Sequence, residues 1–162
     1  MFAMRYFDVF SLVLATGSFF PHLPKTIQTP SLPVRQFVLD MRTKNIDDVL
    51  QLYAPDAVFV DPNGNKFATP DDLRKLYEQV FATYDSDLEF TRTSIKVVKG
   101  DASKAGSMAV ETDNYHENLL ARKTKQIQEV CGASTSSWVR QDDGRWVMSS
   151  QTWTSKPCAA TP

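Results

Sequence analysis

The sequence predicts an α+β domain, with helices gathered on one face of an antiparallel sheet. Three observations carry this. Between residues 33 and 84, apolar side chains recur three times at the spacing of a buried helical stripe. After Tyr84 the period changes to the two-residue alternation of strands. Near the C-terminus QDDGRW joins two alternating runs, and Asp-Gly in that setting is a strong hairpin signal.

The chain divides into an N-terminal segment at 1–30, a domain at 31–156 and a tail at 157–162. MFAMRYFDVFSLVLATGSFF has one early cation, Arg5, then a run rich in Phe, Val and Leu; the proline-broken PHLPKTIQTPSLP follows. The run falls short of the ~20 residues that cross a bilayer, so no membrane span is expected. It reads as a secretory signal with a small-residue site near Ala15 and Gly17, which favours an exported protein, periplasmic or secreted. Asp8 interrupts it, and an extension packed on the domain is the competing reading.

Ser31 and Pro33 suit a helix start, and Val34, Phe37, Val38 and Met41 form the first stripe. Asn45 is a candidate cap for the second helix, whose stripe is Ile46, Val49, Leu50 and Tyr53 and which Pro55 should end. The third has Thr69 as N-cap, Pro70 at its first position and Asp71 and Asp72 against the positive end of the helix dipole. Leu73, Leu76, Tyr77, Val80 and Tyr84 are its stripe. In the sheet region Leu88 and Phe90 alternate, then Ile95 and Val97 do so on the opposite parity, which predicts a bulge between them. KGDAS at 99–103 reads as a turn, 106–116 as a strand, LLARKTKQ as a connection, and 128–140 and 145–155 as the final pair of strands.

Composition narrows the function. The 162 residues are 42% hydrophobic and 23% charged, as in a globular domain. A net charge of −1 supplies no field for nucleic acid or anionic lipid, and RKTK at 122–125 reads as a solvated loop. Cys131 and Cys158 lie in no metal-like spacing; with only His22 and His116 beside them, neither a metal site nor a cofactor is expected. If the last two strands pair through the DDG turn, Cys131 falls opposite Thr154 to Lys156, and Cys158 lies two to four residues on. A disulfide therefore requires the tail to fold back until the Cα atoms are within about 7 Å, and both states of the thiols stay open. In DAVFVDPNGN, at 56–65, Asp61 reads either as a turn former or as a carboxylate at the lip of a pocket.

YAPDAVFVDPNG, TPDDLRKLYEQVF, VVKGDASKAGSMAVE and WVRQDDGRWVMSSQTW, in this order, resemble the nuclear transport factor 2-like superfamily, most closely its SnoaL-like and ketosteroid-isomerase-like group. The resemblance spans about residues 33–155. It implies a cone-shaped, curved antiparallel or mixed sheet with three N-terminal helices on its concave face, and a short strand holding DAVFVDPNG between helices two and three. It also implies that Asp61, which aligns with the isomerase's base in a motif of the form ATVEDPVG, is the candidate catalytic residue. The isomerase's oxyanion donors have no counterpart, because Phe37 stands where its Tyr belongs and Ser136 where its protonated Asp belongs. Losing one such donor costs about 10²–10³ in rate, so steroid isomerase activity is not expected.

In that fold, strand alternation would set Ser134, Ser136 and Trp138 opposite Val147, Ser149, Gln151 and Trp153. With Phe37 and Tyr53 they would make an aromatic-walled pocket for a small hydrophobic molecule, or simply a core. His116 would be a pocket acid or base, or a rim residue. The first functional reading is a SnoaL-like ligand-binding domain. The second is a cofactor-independent isomerase, cyclase or dehydratase with Asp61 as general base. The third is a homodimeric interaction module whose outer sheet face carries Trp146, Met148 and Cys131.

Overall fold

The computed structural model describes residue 30 and residues 32–159. The expected signal segment and Ser31 lie outside the described residues. Helix α1 is Val34–Thr43, with Pro33 as N-cap and no side-chain cap bond, and Lys44 ends it in the left-handed conformation. Helix α2 is Ile46–Gln51, where Asn45 accepts from the Asp48 amide. It stops before Tyr53, which was expected in its stripe. The Met148 amide donates to the Leu52 carbonyl at 2.7 Å, drawing the chain into the sheet ahead of Pro55. Tyr53 instead opens strand β1 (Tyr53–Val60), and β2 (Lys66–Phe67) returns beside it.

Helix α3, Pro70–Thr83, begins as its sequence dictates, with Thr69 Oγ1 accepting from the Asp72 amide at 3.1 Å. It buries Leu73, Tyr77 and Phe81, while Tyr84 leaves the helix to start β3. Then follow β3 (Tyr84–Lys99), β4 (Met108–Ala121), β5 (Ile127–Arg140) and β6 (Trp146–Lys156). Strand β4 runs past its expected end because Leu119 and Leu120 pair with Gln128 and Ile127. These residues belong to the ladder rather than to the connection.

The fold is α+β, an open curved sheet in the order β2-β1-β6-β5-β4-β3, mixed because β1 runs parallel to β6 while the other pairs are antiparallel. The helices cover its concave face. Phe37, Met41, Val49, Leu73, Tyr77 and Phe81 pack there against Leu88, Tyr115, Trp138, Met148 and Trp153 from the sheet. Among the described residues no helix is long and apolar enough to cross a membrane.

Two bulges decide which side chains face the helices. The first lies between Arg92 and Ser94, so Leu88, Phe90 and Ile95 share the concave face despite their opposite parity. The second sets Ser137 against Ser150 but Trp138 against Met148, leaving Ser149 as the extra residue. Met148 and Trp146 thereby turn to the helix side, where they are 1% and 6% exposed. The expected outer-face patch of Trp146, Met148 and Cys131 is not formed, because both large members are in the core.

Gly132 permits a close approach. A Cβ there would lie 1.8 Å from the Thr154 carbonyl and 2.5 Å from the Tyr115 ring. The tail does fold back, and Cys131 and Cys158 are disulfide-bonded with Cα atoms 5.1 Å apart. Closing a loop of 27 residues contributes about 3–4 kcal/mol in the chain-entropy picture.

Candidate functional site

A row of buried polar side chains crosses the concave face under α1 and α3. The Tyr53 hydroxyl donates to Gln151 Oε1 at 2.6 Å, and Tyr77 lies 2.7 Å from the same hydroxyl. Tyr53 has one proton, so Tyr77 donates to it. Gln151 Nε2 in turn donates to Ser136 Oγ at 3.4 Å. Burial raises both phenols above their ordinary range; Tyr77 raises Tyr53 further, whereas the bond to Tyr53 pulls Tyr77 partly back down.

Beyond Ser136 the row becomes acidic. Strand β4 turns Glu111, Asp113, Tyr115 and Glu117 inward at two-residue spacing. Burial raises all three carboxyls. Glu111 is fully buried and receives the Arg92 guanidinium; the Trp138 indole N–H approaches it without the geometry of a hydrogen bond. Glu117 accepts from Ser86 Oγ. Asp113, 2% exposed, has no such partner among the described residues. Burial first, then the charge of Glu111, push its carboxyl up to about 6 against the opposing pull of Arg92.

Asp113 borders a small cavity of about 10 Å³, which also meets Phe37, Ser134, Ser136, Trp138 and Gln151. That is the limit for one water. Ser134 Oγ and Trp138 Nε1 are buried there with no hydrogen-bond partner among the described residues. Val34 and Phe90 close one side. The same two side chains line an open groove of about 600 Å³ between α1 and β3.

Of the residues singled out in the sequence, the structure gathers Phe37, Ser136, Trp138 and Gln151 around this cavity. Tyr53 reaches it only through Gln151. Trp153 stacks behind it, 4.5 Å from the Tyr115 ring and 5.7 Å from Phe90. Ser149 is turned away by the bulge and donates to the Ser137 carbonyl. His116 points to the outer face, where its Nε2 lies 2.8 Å from Glu129.

Asp61 is elsewhere. Its Oδ1 accepts from the Asn63 and Asn65 amides at 2.9 and 2.8 Å, and its Oδ2 from Asn65 Nδ2. Partial burial alone would raise its carboxyl, but these bonds outweigh that and lower it. Asp61 therefore closes the DPNG turn and is not among the residues lining the cavity.

The acidic row went unread in the sequence. In AVETDNYHEN both faces of the strand are polar, with Glu111, Asp113 and Glu117 on one and Thr112, Asn114 and His116 on the other. The structure's register resolves it: Asp113 pairs with Ser134 and Glu111 with Ser136, two serines on the inner face.

The model of the SnoaL-like domain family matches residues 34–148. No curated protein matches the chain. Among solved structures, a ketosteroid isomerase-like protein from Erwinia carotovora atroseptica SCRI1043 superposes with a TM-score of 0.70 at 13% identity, over 84% of this chain and 100% of that one. A protein from Novosphingobium aromaticivorans DSM 12444 assigned as a scytalone dehydratase gives 0.67 at 12% identity, over 76% and 79%. A hexachlorocyclohexane dehydrochlorinase (LinA) type 2 gives 0.65 at 14% identity, over 79% and 85%. At these identities the likeness establishes the fold.

Proposed function

The chain belongs to the SnoaL-like domain family, and on that premise we propose that it binds a small, largely apolar organic molecule beneath α1. The observation that carries this is Asp113, a buried carboxyl with no hydrogen-bond partner among the described residues, beside the Ser134 hydroxyl and Trp138 indole N–H, which have none among them either. Buried polar groups are almost always satisfied, and two unsatisfied ones beside a buried carboxyl at one cavity leave that role to a bound molecule. Phe37, Phe90 and Trp138 supply apolar walls, and displacing Val34 and Phe90 opens the space to the neighbouring groove.

A second reading is proton-transfer catalysis, as in a cofactor-independent isomerase, cyclase or dehydratase. Two of the fold relatives are named for eliminations, of water and of hydrogen chloride. The base in this chain is then Asp113 rather than Asp61. A carboxyl near 6 is about nine-tenths ionised at pH 7 and basic enough to take a proton, whereas Asp61 is committed to its turn.

Tryptophan fluorescence tests both readings, because Trp138 lines the cavity and Trp153 lies behind it. Flat phenols, ketones and amines are titrated into the wild type, Asp113→Asn and Asp61→Asn. The expected result is saturable binding of at least one class, changed about tenfold or more by Asp113→Asn and unaffected by Asp61→Asn. No saturable signal, or a larger effect from Asp61→Asn, would overturn the assignment.

A further inference from the structure

On the opposite face of the sheet, register brings together side chains that sequence spacing keeps apart. His116 on β4 is paired directly with Cys131 on β5, and Glu129 stands two residues from Cys131 on the same face. Cys131 is paired with Lys156 on β6, and Cys158 follows two residues later and is bonded to Cys131. One donor atom each from His116, Glu129 and Cys131 lies within 4.8 Å of the others. The cluster sits at an open surface groove of about 470 Å³, and the side chains of His116 and Glu129 are 42% and 51% exposed.

We propose that this is a redox-gated site for a borderline-soft divalent cation of the Zn²⁺ class, held by Cys131, Cys158, His116 and Glu129 when the disulfide is reduced. Two thiolates, an imidazole and a carboxylate form the mixed sulfur, nitrogen and oxygen set that Zn²⁺ accepts in four-coordinate sites. In the oxidised protein the sulfurs are bonded to each other and carry no charge, so the site is closed. A thiol reductant opens it. Two reductant thiols become a disulfide, the Sγ–Sγ bond breaks, and Cys131 and Cys158 each gain a proton. Binding the cation then releases both protons, because the thiolate is the ligand.

The geometry accommodates the change. Zinc–sulfur bonds of about 2.3 Å at a tetrahedral angle need the sulfurs about 3.8 Å apart. Cys158 lies beyond Lys156, the last residue paired in β6, so it can retreat without breaking the ladder. The Lys156 ammonium is held 2.7 Å from Asn114 Oδ1, which gives it a partner other than the cation. The site is independent of the cavity under α1, since its residues lie on the other face of the sheet.

Cobalt(II), a spectroscopic stand-in for zinc, supplies the test. The full chain is reduced with a phosphine, which becomes its oxide, and titrated with cobalt(II) anaerobically beside the oxidised protein. Thiolate-to-cobalt charge-transfer absorption should appear at one cobalt per chain in the reduced protein only, and zinc should abolish it. His116→Ala should weaken binding about tenfold or more, and Cys158→Ser should lower the charge-transfer intensity by about half, one thiolate of two being lost. Folded, reduced protein without that absorption would overturn the proposal, as would a His116→Ala variant that binds cobalt like the wild type. So would loss of near-ultraviolet circular dichroism on reduction that cobalt does not restore.

Discussion

Replacing Asp113 by Asn removes the buried carboxylate while keeping its shape. Its pKa is raised from 3.8 to about 6, a difference of about two units. At 1.36 kcal/mol per unit the ionised group destabilises the fold by roughly 3 kcal/mol. The native state holds its proton more tightly than the unfolded chain. Stability therefore falls as pH rises from about 4 to about 6, and stays lowered above that. Near pH 4 the native state holds the proton and the unfolded chain about half of one, so most of the penalty is absent. Urea unfolding followed by far-ultraviolet circular dichroism should thus show Asp113→Asn close to wild type near pH 4. At pH 8 it should be more stable by about 1–3 kcal/mol, since an amide in this site keeps some polar cost. An equal gain at both pH values would mean that packing, not charge, is responsible. No gain at pH 8 would mean that the carboxylate has a partner, and the ligand assignment would lose its foundation. A residue that costs stability in the empty domain is the kind retained for function.

Tyr53→Phe should cost about 1–3 kcal/mol in urea unfolding at neutral pH, because Gln151 Oε1 loses its donor and Tyr77 its acceptor inside the core. A loss below 0.5 kcal/mol, on the order of a surface substitution, would show that this chain of hydroxyls is not held as described. Asp61→Asn should leave ligand titrations unchanged and cost about 1 kcal/mol at pH 7 through its turn. Asp61 is lowered below 3.8, so its contribution is present above about pH 4 and disappears as pH falls through the folded value; the Asn variant should show a shallower acid limb in the same unfolding assay.

What could be read from the chain followed from local physics. Thr69, Pro70 and the two aspartates fix the start of α3 with groups at most three residues apart. The parity change from Leu88 and Phe90 to Ile95 and Val97 announces the bulge at Thr93, since alternation can reverse while one face stays buried only if a residue is added. The α+β class followed from the change of period, and the family from the order of its motifs.

Ser149, Tyr53 and the acids of β4 were decided by tertiary structure. The register of β6 against β5 makes Ser149 the extra residue and turns Met148 inward, although both residues suit either face of a strand. Tyr53 fits a helical stripe, but its pairing with Met148 places it in β1 instead. Along β4 the two-residue period defines two faces without saying which is covered, and both carry polar side chains. The sequence by itself determined that Glu111, Asp113 and Glu117 share one face. Only the helices, by lying across that face, made it the buried one. Water is thereby removed from around three carboxyls, and a row that reads as ordinary surface becomes a buried row whose carboxyls are all raised.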